Sequence, residues 1–367
     1  MEMYAVPALL ALAAITLQAR WNARADRALT ITIVLAIVLI AGLRWFADVD
    51  YDLYLEMFGD NPILREFTPE SISALYGEPG YLLVSAVFKS LGSDFVALAF
   101  TCALLSMSLK GVVVSRYAAW PSLALTLYLC LHFVTIEFIQ MRWAVATGFI
   151  ALAYSEQQRG RRWTAIACHV GAIAFHYFSL AYLLLAALVG RKGYRRYFVL
   201  FGVTLASAFL LKAEYLERLL VLDSDIYILS RIARYAAEPE SALGFFSFAK
   251  LAMYPLLYAA CVWWRPDAAW KTDEKNLFLL RVSLLLLSFT LFVTFIPVLH
   301  FRATVLADLF AIVWVLNALD RALEGTPRTV AVIGLGALFI IWYSLDVRNY
   351  HAAGRLTDYQ TWLTQRP

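Results

Sequence analysis

The sequence predicts an all-α polytopic integral membrane protein with about 11–12 transmembrane or half-membrane helices. Three observations predict it. The 367 residues are 62% hydrophobic and only 16% charged, whereas soluble domains carry about a quarter charged residues. Long apolar runs recur with short polar connectors, and about 20 apolar residues suffice to cross a bilayer. More than half of the 31 Lys and Arg fall in alternate short loops, as expected of loops on the cytoplasmic side. Disordered, disulfide-rich secreted and ordinary soluble classes are thereby excluded. The net charge of +4 is modest and its basic residues sit between apolar runs, so nucleic acid is not an expected partner.

The first run, 4–19, has no basic stretch before it and is followed by Arg20, Arg24 and Arg27. It reads as a first span with a basic inner flank, not a cleaved signal peptide. Runs at 29–46, 95–114, 120–139 and 143–155 follow. The stretch 163–189 decides the map. As one helix it puts Arg159, Arg161 and Arg162 opposite Arg191, Lys192, Arg195 and Arg196. As two short segments, 163–175 and 177–189, turning near His176, it puts both clusters on one side. The charge rule predicts the second arrangement. Half-length segments persist only where they pack inside protein or line a cavity. Runs at 197–211, 245–264, 277–299, 303–319 and 329–345 complete the series. The inner loops are then 20–27, 110–116, 156–162, 191–196, 265–275 and 321–328, with the termini outside. No internal repeat or domain boundary is visible, so 1–367 reads as a single transmembrane domain.

Two outer-face segments, 47–94 and 212–244, are too long for plain connectors. The first carries nine carboxylates, from Asp48 to Asp94, against Arg65 and Lys89. Within it, Thr68-Pro69-Glu70 has the form of an N-cap, a first-turn proline and an early acid, predicting a surface helix over 69–76. The run 81–91 is too short to span and is expected to lie in the interface or re-enter. The second segment alternates Leu and Ile pairs with charges, as an amphipathic surface helix does. Cys102, Cys130, Cys168 and Cys261 all lie within apolar runs and read as inert buried thiols.

Ionisable groups in spans are costly and therefore informative. In this map they collect toward the outer half: Arg44 before Asp48-Val49-Asp50-Tyr51-Asp52, Glu137, Gln140 and Arg142 at a turn, His176 at another, and His300 and Arg302 at a third. Each has a structural alternative. Arg142 and Arg302 can snorkel to headgroups, His176 can bond a carbonyl, Glu78 can cap a turn before Pro79-Gly80, and the acids at 48–52 can form a solvated loop. Asp48-x-Asp50 resembles a metal-binding pair, but that spacing is common and no metal is expected. Together the groups suit an anionic lipid. A guanidinium fork pairs with phosphate oxygens and stays charged when desolvated, and a neighbouring histidine or carboxylate can take a proton from a hydroxyl.

Several short patterns, in order, resemble the EpsG family of Wzy-type polysaccharide polymerases. Gly42-Leu43-Arg44 before Asp48-Val49-Asp50-Tyr51 is similar to the family's Arg then Asp-x-x-Tyr stretch. Gly77-Glu78-Pro79-Gly80-Tyr81 resembles its Glu-Pro element. Gln140-Met141-Arg142-Trp143-Ala144 resembles its Arg-containing turn. Phe175-His176-Tyr177-Phe178-Ser179-Leu180 is similar to its Phe-His-x-Ser element, and Phe301-Arg302 opens a late span where the family also places a basic residue. The chain departs from the family at Trp143, where a polar residue is usual, and at Phe178, which precedes the serine.

The resemblance, over about residues 40–310, implies a GT-C-like multi-helix fold without a nucleotide-sugar domain. It implies a membrane glycosyltransferase; because diphosphate is a good leaving group and arginines can take a metal's place, the enzyme is expected to be metal-independent and to need no cofactor. That enzyme would polymerise oligosaccharide repeats linked to undecaprenyl diphosphate, for O-antigen, capsule or exopolysaccharide. It would sit in the bacterial inner membrane and act on the periplasmic face, among membrane lipids and with a chain-length regulator as a further partner. In that chemistry Arg142 and Arg302, with Arg44, would hold the donor diphosphate. His176 or Glu78 would deprotonate the acceptor hydroxyl, and Asp50 and Tyr51 would position a sugar. Two other readings stand beside it: an O-antigen-ligase-like transferase, distinguished by its acceptor, and a twelve-span transporter or flippase. Transporters usually show paired repeats and broken midplane helices, and neither is visible.

Overall fold

The computed structural model describes residues 2–18, 23–73, 75–190, 193–210, 245–266, 269–294 and 296–365. Among these residues the regular structure is helical, with two isolated bridges, Arg44 to Thr361 and Asp48 to Leu356, and no strand. The chain is an all-α polytopic membrane protein. Among the described residues six helices are long and apolar enough to span alone: Ala23–Gly42, Phe95–Tyr117, Pro121–Ile139, Glu274–Phe292, Pro297–Ala322 and Gly325–Ala352. The helices fall into two compact units, Met1–Ala186 with Gly325–Pro367, and Ala187–Glu324.

In the first unit, helices α1 (Val6–Gln18) and α2 (Ala23–Gly42) lead to the acidic segment, which holds α3 (Tyr51–Asp60), α4 (Pro69–Ser73) and α5 (Pro79–Ser90). Helix α6 (Phe95–Tyr117) then packs on α2 and on α8 (Met141–Gln158). Gly42 permits the α2–α6 approach, since a Cβ there would lie 2.7 Å from the Phe100 Cα. Between α6 and α8 runs α7 (Pro121–His132), which is apolar and buried on all sides, as expected of a helix surrounded by protein. It passes directly into a π-helical stretch, Phe133–Ile139, also fully buried.

The predicted break near His176 is present. Helix α9 (Arg162–Phe175) runs back along α8, the chain extends at His176 (φ −160°, ψ 119°), and α10 (Ser179–Leu188) returns. Two hydrogen bonds fix its direction. Tyr154 donates its hydroxyl to the Tyr182 carbonyl at 3.0 Å, and the Gln157 amide donates to the Ala186 carbonyl at 3.0 Å. Thus α10 descends beside α8 toward the end where α9 began. Arg116, Arg159 and Arg161 all meet Glu156 at that end. The acidic segment and His176 lie at the other.

The second unit contains α11 (Arg195–Leu210), α12 (Phe245–Trp264), the short α13 (Ala269–Thr272), α14 (Glu274–Phe292) and α15 (Pro297–Ala322). Helix α15 is buried along almost its whole length and packs on α12 and α14. Pro255 lies inside α12, where it removes one backbone donor. Asp273 caps α14 by accepting from the Lys275 and Asn276 N–H groups. The remaining helices, α16 (Gly325–Ala352) and α17 (Trp362–Gln365), belong to the first unit.

Several expectations change. Residues 110–116 are not a loop but the end of α6. Lys110 is fully buried because Glu137 supplies its counter-charge. The second span begins and ends earlier than 29–46, leaving Arg44 beyond the helix. The surface helix expected over 69–76 covers Pro69–Ser73, with Thr68 Oγ1 accepting from the Ser71 N–H. The run at 81–91 forms α5, with one face buried at Tyr81, Leu82, Ser85 and Ala86. The amphipathic helix expected within 212–244 lies outside the described residues.

Candidate functional site

The site is assembled by short-range geometry at three turns of the first unit. The π-helical stretch ends at Gln140, whose carbonyl accepts the Ala144 N–H at 2.9 Å and starts α8. Arg142 therefore stands in the first helical turn. Glu78 immediately precedes Pro79 and makes no side-chain cap to α5. Its carboxylate goes instead to Arg142, with Nη1 to Oε2 at 2.5 Å. The two side chains are 12% and 10% exposed, so this is a largely desolvated pair in which truncating one partner strands the other charge.

Three tyrosines surround the guanidinium. Its carbon lies 5.5, 5.3 and 5.8 Å from the ring centroids of Tyr54, Tyr76 and Tyr81. Such cation–π contacts favour the charge without neutralising it. Tyr54 and Tyr81 are buried, whereas Tyr76 is 45% exposed. The cage thus has a solvated side. Burial pushes the Tyr54 phenol above its ordinary value, and the Arg142 charge draws it back.

The third turn carries His176. Gly80 packs directly on α9, where a Cβ would lie 2.8 Å from both the Cβ and the carbonyl oxygen of Ala174. This brings the Glu78 turn close to His176. From the other side, Trp143, the neighbour of Arg142, contacts the imidazole edge-on at 4.9 Å. The half-buried ring accepts the Phe178 N–H at Nδ1, 3.2 Å away.

Arg44, Asp48, Asp50 and Tyr51 occupy a different setting. Arg44 is 1% exposed. Its Nε donates to Asp48 Oδ2 at 2.7 Å and its Nη1 to the Ala41 carbonyl at 2.5 Å. Asp48 Oδ1 accepts the Asp50 N–H. The Asp48 carboxylate of the predicted Asp-x-Asp pair is thereby drawn into the scaffold of this loop. The C-terminal segment closes over it: Trp45 N–H donates to Gln360, Thr357 N–H to Ala47 and Trp362 N–H to Leu43. Tyr51 is buried among Trp45, Phe46 and Phe95. Asp50, half-buried at the start of α3, acts electrostatically on Tyr54.

Arg302 stands in the second unit, near the start of α15. The same helix carries His300, whose Nδ1 donates to the Thr290 carbonyl at 3.1 Å. It also carries Asp308, fully buried, which accepts from Lys250 Nζ at 2.7 Å and from the Tyr254 hydroxyl at 2.9 Å.

Sequence reasoning missed the tyrosine cage and both buried Lys–carboxylate pairs. In the first unit, Glu137 accepts from Lys110 at 2.5 Å, from Tyr128 at 2.7 Å and from Ser106 at 2.7 Å. Lys110 and Ser106 also donate to the Ala144 carbonyl, each at 2.9 Å. This network ties α6 and the π-helical stretch to the first turn of α8. The available signal was the rule that a carboxylate in an apolar run requires a cation. It applies to Glu137 and to Asp308, yet does not say which cation.

No curated protein and no solved structure matches the chain. A family model does: the EpsG family model covers residues 27–361, which include every site residue described above. The chain therefore belongs to the EpsG family, whose members are Wzy-like polysaccharide polymerases.

Proposed function

We propose that the protein is a glycosyltransferase that polymerises oligosaccharide repeats carried on a polyprenyl diphosphate, at the periplasmic face of the bacterial inner membrane. The observation that carries this reading is the Arg142–Glu78 pair inside a tyrosine cage, next to the His176 turn. The end of the first unit opposite the Glu156 arginine cluster holds this site, and basic loops favour the cytoplasm.

The chemistry follows from charge exchange. At rest Glu78 neutralises Arg142. A donor diphosphate would displace Glu78 from the guanidinium, which stays charged and matches phosphate oxygens with its planar fork. The released carboxylate is then the base for the acceptor hydroxyl. The acceptor oxygen bonds to the donor anomeric carbon as the carbon–oxygen bond to diphosphate breaks. Arginine stabilises the charge that develops on the departing group. Arg302, in the second unit, keeps a diphosphate-binding role only as an expectation from the sequence. Asp50 is the proposed sugar-positioning carboxylate, and Arg44, enclosed with Asp48, supports the loop that carries it. The arginines take the charge-neutralising role that a divalent metal would otherwise fill, so no metal is required.

The test is a reconstituted reaction. Purified protein with lipid-diphosphate-linked repeats and EDTA should produce a ladder of products. Intact protein and intact substrate that produce no ladder, with or without added divalent cation, would exclude polymerisation. A single addition to a core-lipid acceptor would instead identify a ligase.

A further inference from the structure

We propose that a cleft between α2 and α6 binds one anionic glycerophospholipid, with its phosphate at Arg27 and an acyl chain laid along the two helices. The proposal does not depend on the polymerase reading.

The cleft lies wholly within the first unit and has a volume of about 690 Å³. Helix α2 lines it from Ala23 to Leu35 and α6 from Leu104 to Arg116. Each stretch is about three turns, so the cleft follows the helices for about 18 Å. That is about the depth of one leaflet, half of a hydrocarbon core about 30 Å thick.

Its shape comes from small side chains. Ser108, Gly111 and Ser115 recur on one face of α6 at spacings of three and four. Gly111 also lets α2 approach, since a Cβ there would lie 3.1 Å from the Val34 Cγ2. The rims are large and apolar: Ile31 and Leu35 on α2, and Leu104 and Val112 on α6, are all exposed. A trough with aliphatic rims at membrane depth fits a flexible hydrocarbon chain.

One end of the cleft is basic. Arg27 and Arg116 stand there, where α6 gives way to α7. Arg116 donates to Glu156 at 2.6 Å and to Ser155 at 3.0 Å. Arg27 is exposed and makes no ion pair among the described residues. Both carboxylates at this end are already engaged. Asp26, 2% exposed, accepts the hydroxyl and the N–H of Ser122 in the first turn of α7, where a helix N-terminus favours negative charge. Glu156 is shared by Arg116, Arg159 and Arg161. Positive charge is thus in excess beside Arg27. A basic pocket between spans on the cytoplasmic side is a setting that holds anionic headgroups. A zwitterionic lipid brings its own cation and loses that advantage. The carrier-lipid site proposed at Arg142 lies at the other end of this unit.

The intact protein, purified in mild detergent, is titrated with phosphatidylglycerol or with phosphatidylcholine of the same acyl chains. Native mass spectrometry counts the first bound lipid, and the melting temperature is followed in parallel. Phosphatidylglycerol should bind first and raise the melting temperature, as a ligand of the folded state does. Arg27→Gln should weaken its binding by about fivefold, the scale of one basic residue near anionic lipid, and leave phosphatidylcholine unchanged. Arg27→Lys keeps the charge and should bind within about twofold of the natural protein. Ser108→Phe fills the trough and should weaken both lipids. Arg27 is exposed and Ser108 half-buried, so the variants should fold, and their melting temperatures without lipid check this.

Equal affinity for the two lipids, or unchanged phosphatidylglycerol binding by Arg27→Gln, would overturn the proposal. Unchanged binding by Ser108→Phe would place the lipid elsewhere and overturn it as well. Displacement of phosphatidylglycerol by an equal or lower concentration of a polyprenyl monophosphate would assign the cleft to a carrier lipid and also overturn it.

Discussion

Arg142 and Glu78, 64 positions apart, are joined by a 2.5 Å contact, and neither side chain makes the local bond its sequence context offers. Glu78 leaves α5 without a side-chain cap, and Arg142 turns into a cage of tyrosines. The pair is a resting state poised for exchange with an anion. Glu78→Gln should therefore keep or tighten diphosphate binding while lowering turnover by about a hundredfold or more, the usual range for losing a general base. Arg142→Lys should weaken donor binding by about tenfold because an ammonium lacks the planar fork. Donor titration and initial elongation rates separate the two effects.

The Lys110–Glu137 pair is 0% and 1% exposed. Breaking it strands a charge, so Lys110→Met should lower stability by about 3–5 kcal/mol. Lys110→Met with Glu137→Leu should recover most of that loss, because apolar replacement of a whole buried pair is often neutral. Unfolding in detergent, arranged as a double-mutant cycle, measures the coupling. The double variant should still elongate poorly, since the network also holds the Ala144 carbonyl in the first turn of α8.

The C-terminal segment binds the Arg44–Asp48 loop mainly through backbone groups. Single side-chain changes there should be mild. Ending the chain after Gly354 removes several such bonds, each worth about 1 kcal/mol net. The truncated protein should lose about 2–4 kcal/mol on that basis and elongate more slowly. Thermal unfolding and ladder length are the measurements.

Asp273 supplies an acid-sensitive contact in the second unit. Burial alone would push its carboxyl up. The Arg321 hydrogen bond and the N–H groups of Asn276 and Lys275 outweigh burial and hold it below its ordinary 3.8. A depressed folded value means that its stabilisation is complete above the unfolded pKa and is lost as pH falls through the folded one. Stability should be insensitive to this group near neutral pH and should decline below about pH 4. Asp273→Asn should flatten that acid limb, measured by unfolding at stepped pH.

The helix series was legible from the chain because hydropathy is a local property. The apolar runs that form helices and the break at His176 follow from run length and from where Lys and Arg stand. The candidate residues were legible for a related reason: ionisable groups near membrane depth are expensive, so their presence is a signal. Arg142 and His176 were found that way, Glu78 through its place before Pro79-Gly80, and the helix turns do bring them to one end.

Partnership was decided only by the tertiary structure. Arg44 and Arg142 look alike in sequence, each at a turn near acids. Arg44 is enclosed by its own neighbour Asp48 and the distant C-terminal segment. Arg142 meets Glu78 and three tyrosines from other turns. Lys110 falls in a predicted loop but lies at the core, because Glu137 offsets its desolvation. Charge pattern and hydropathy act along the chain. Counter-charge and burial are set by atoms that only folding brings together.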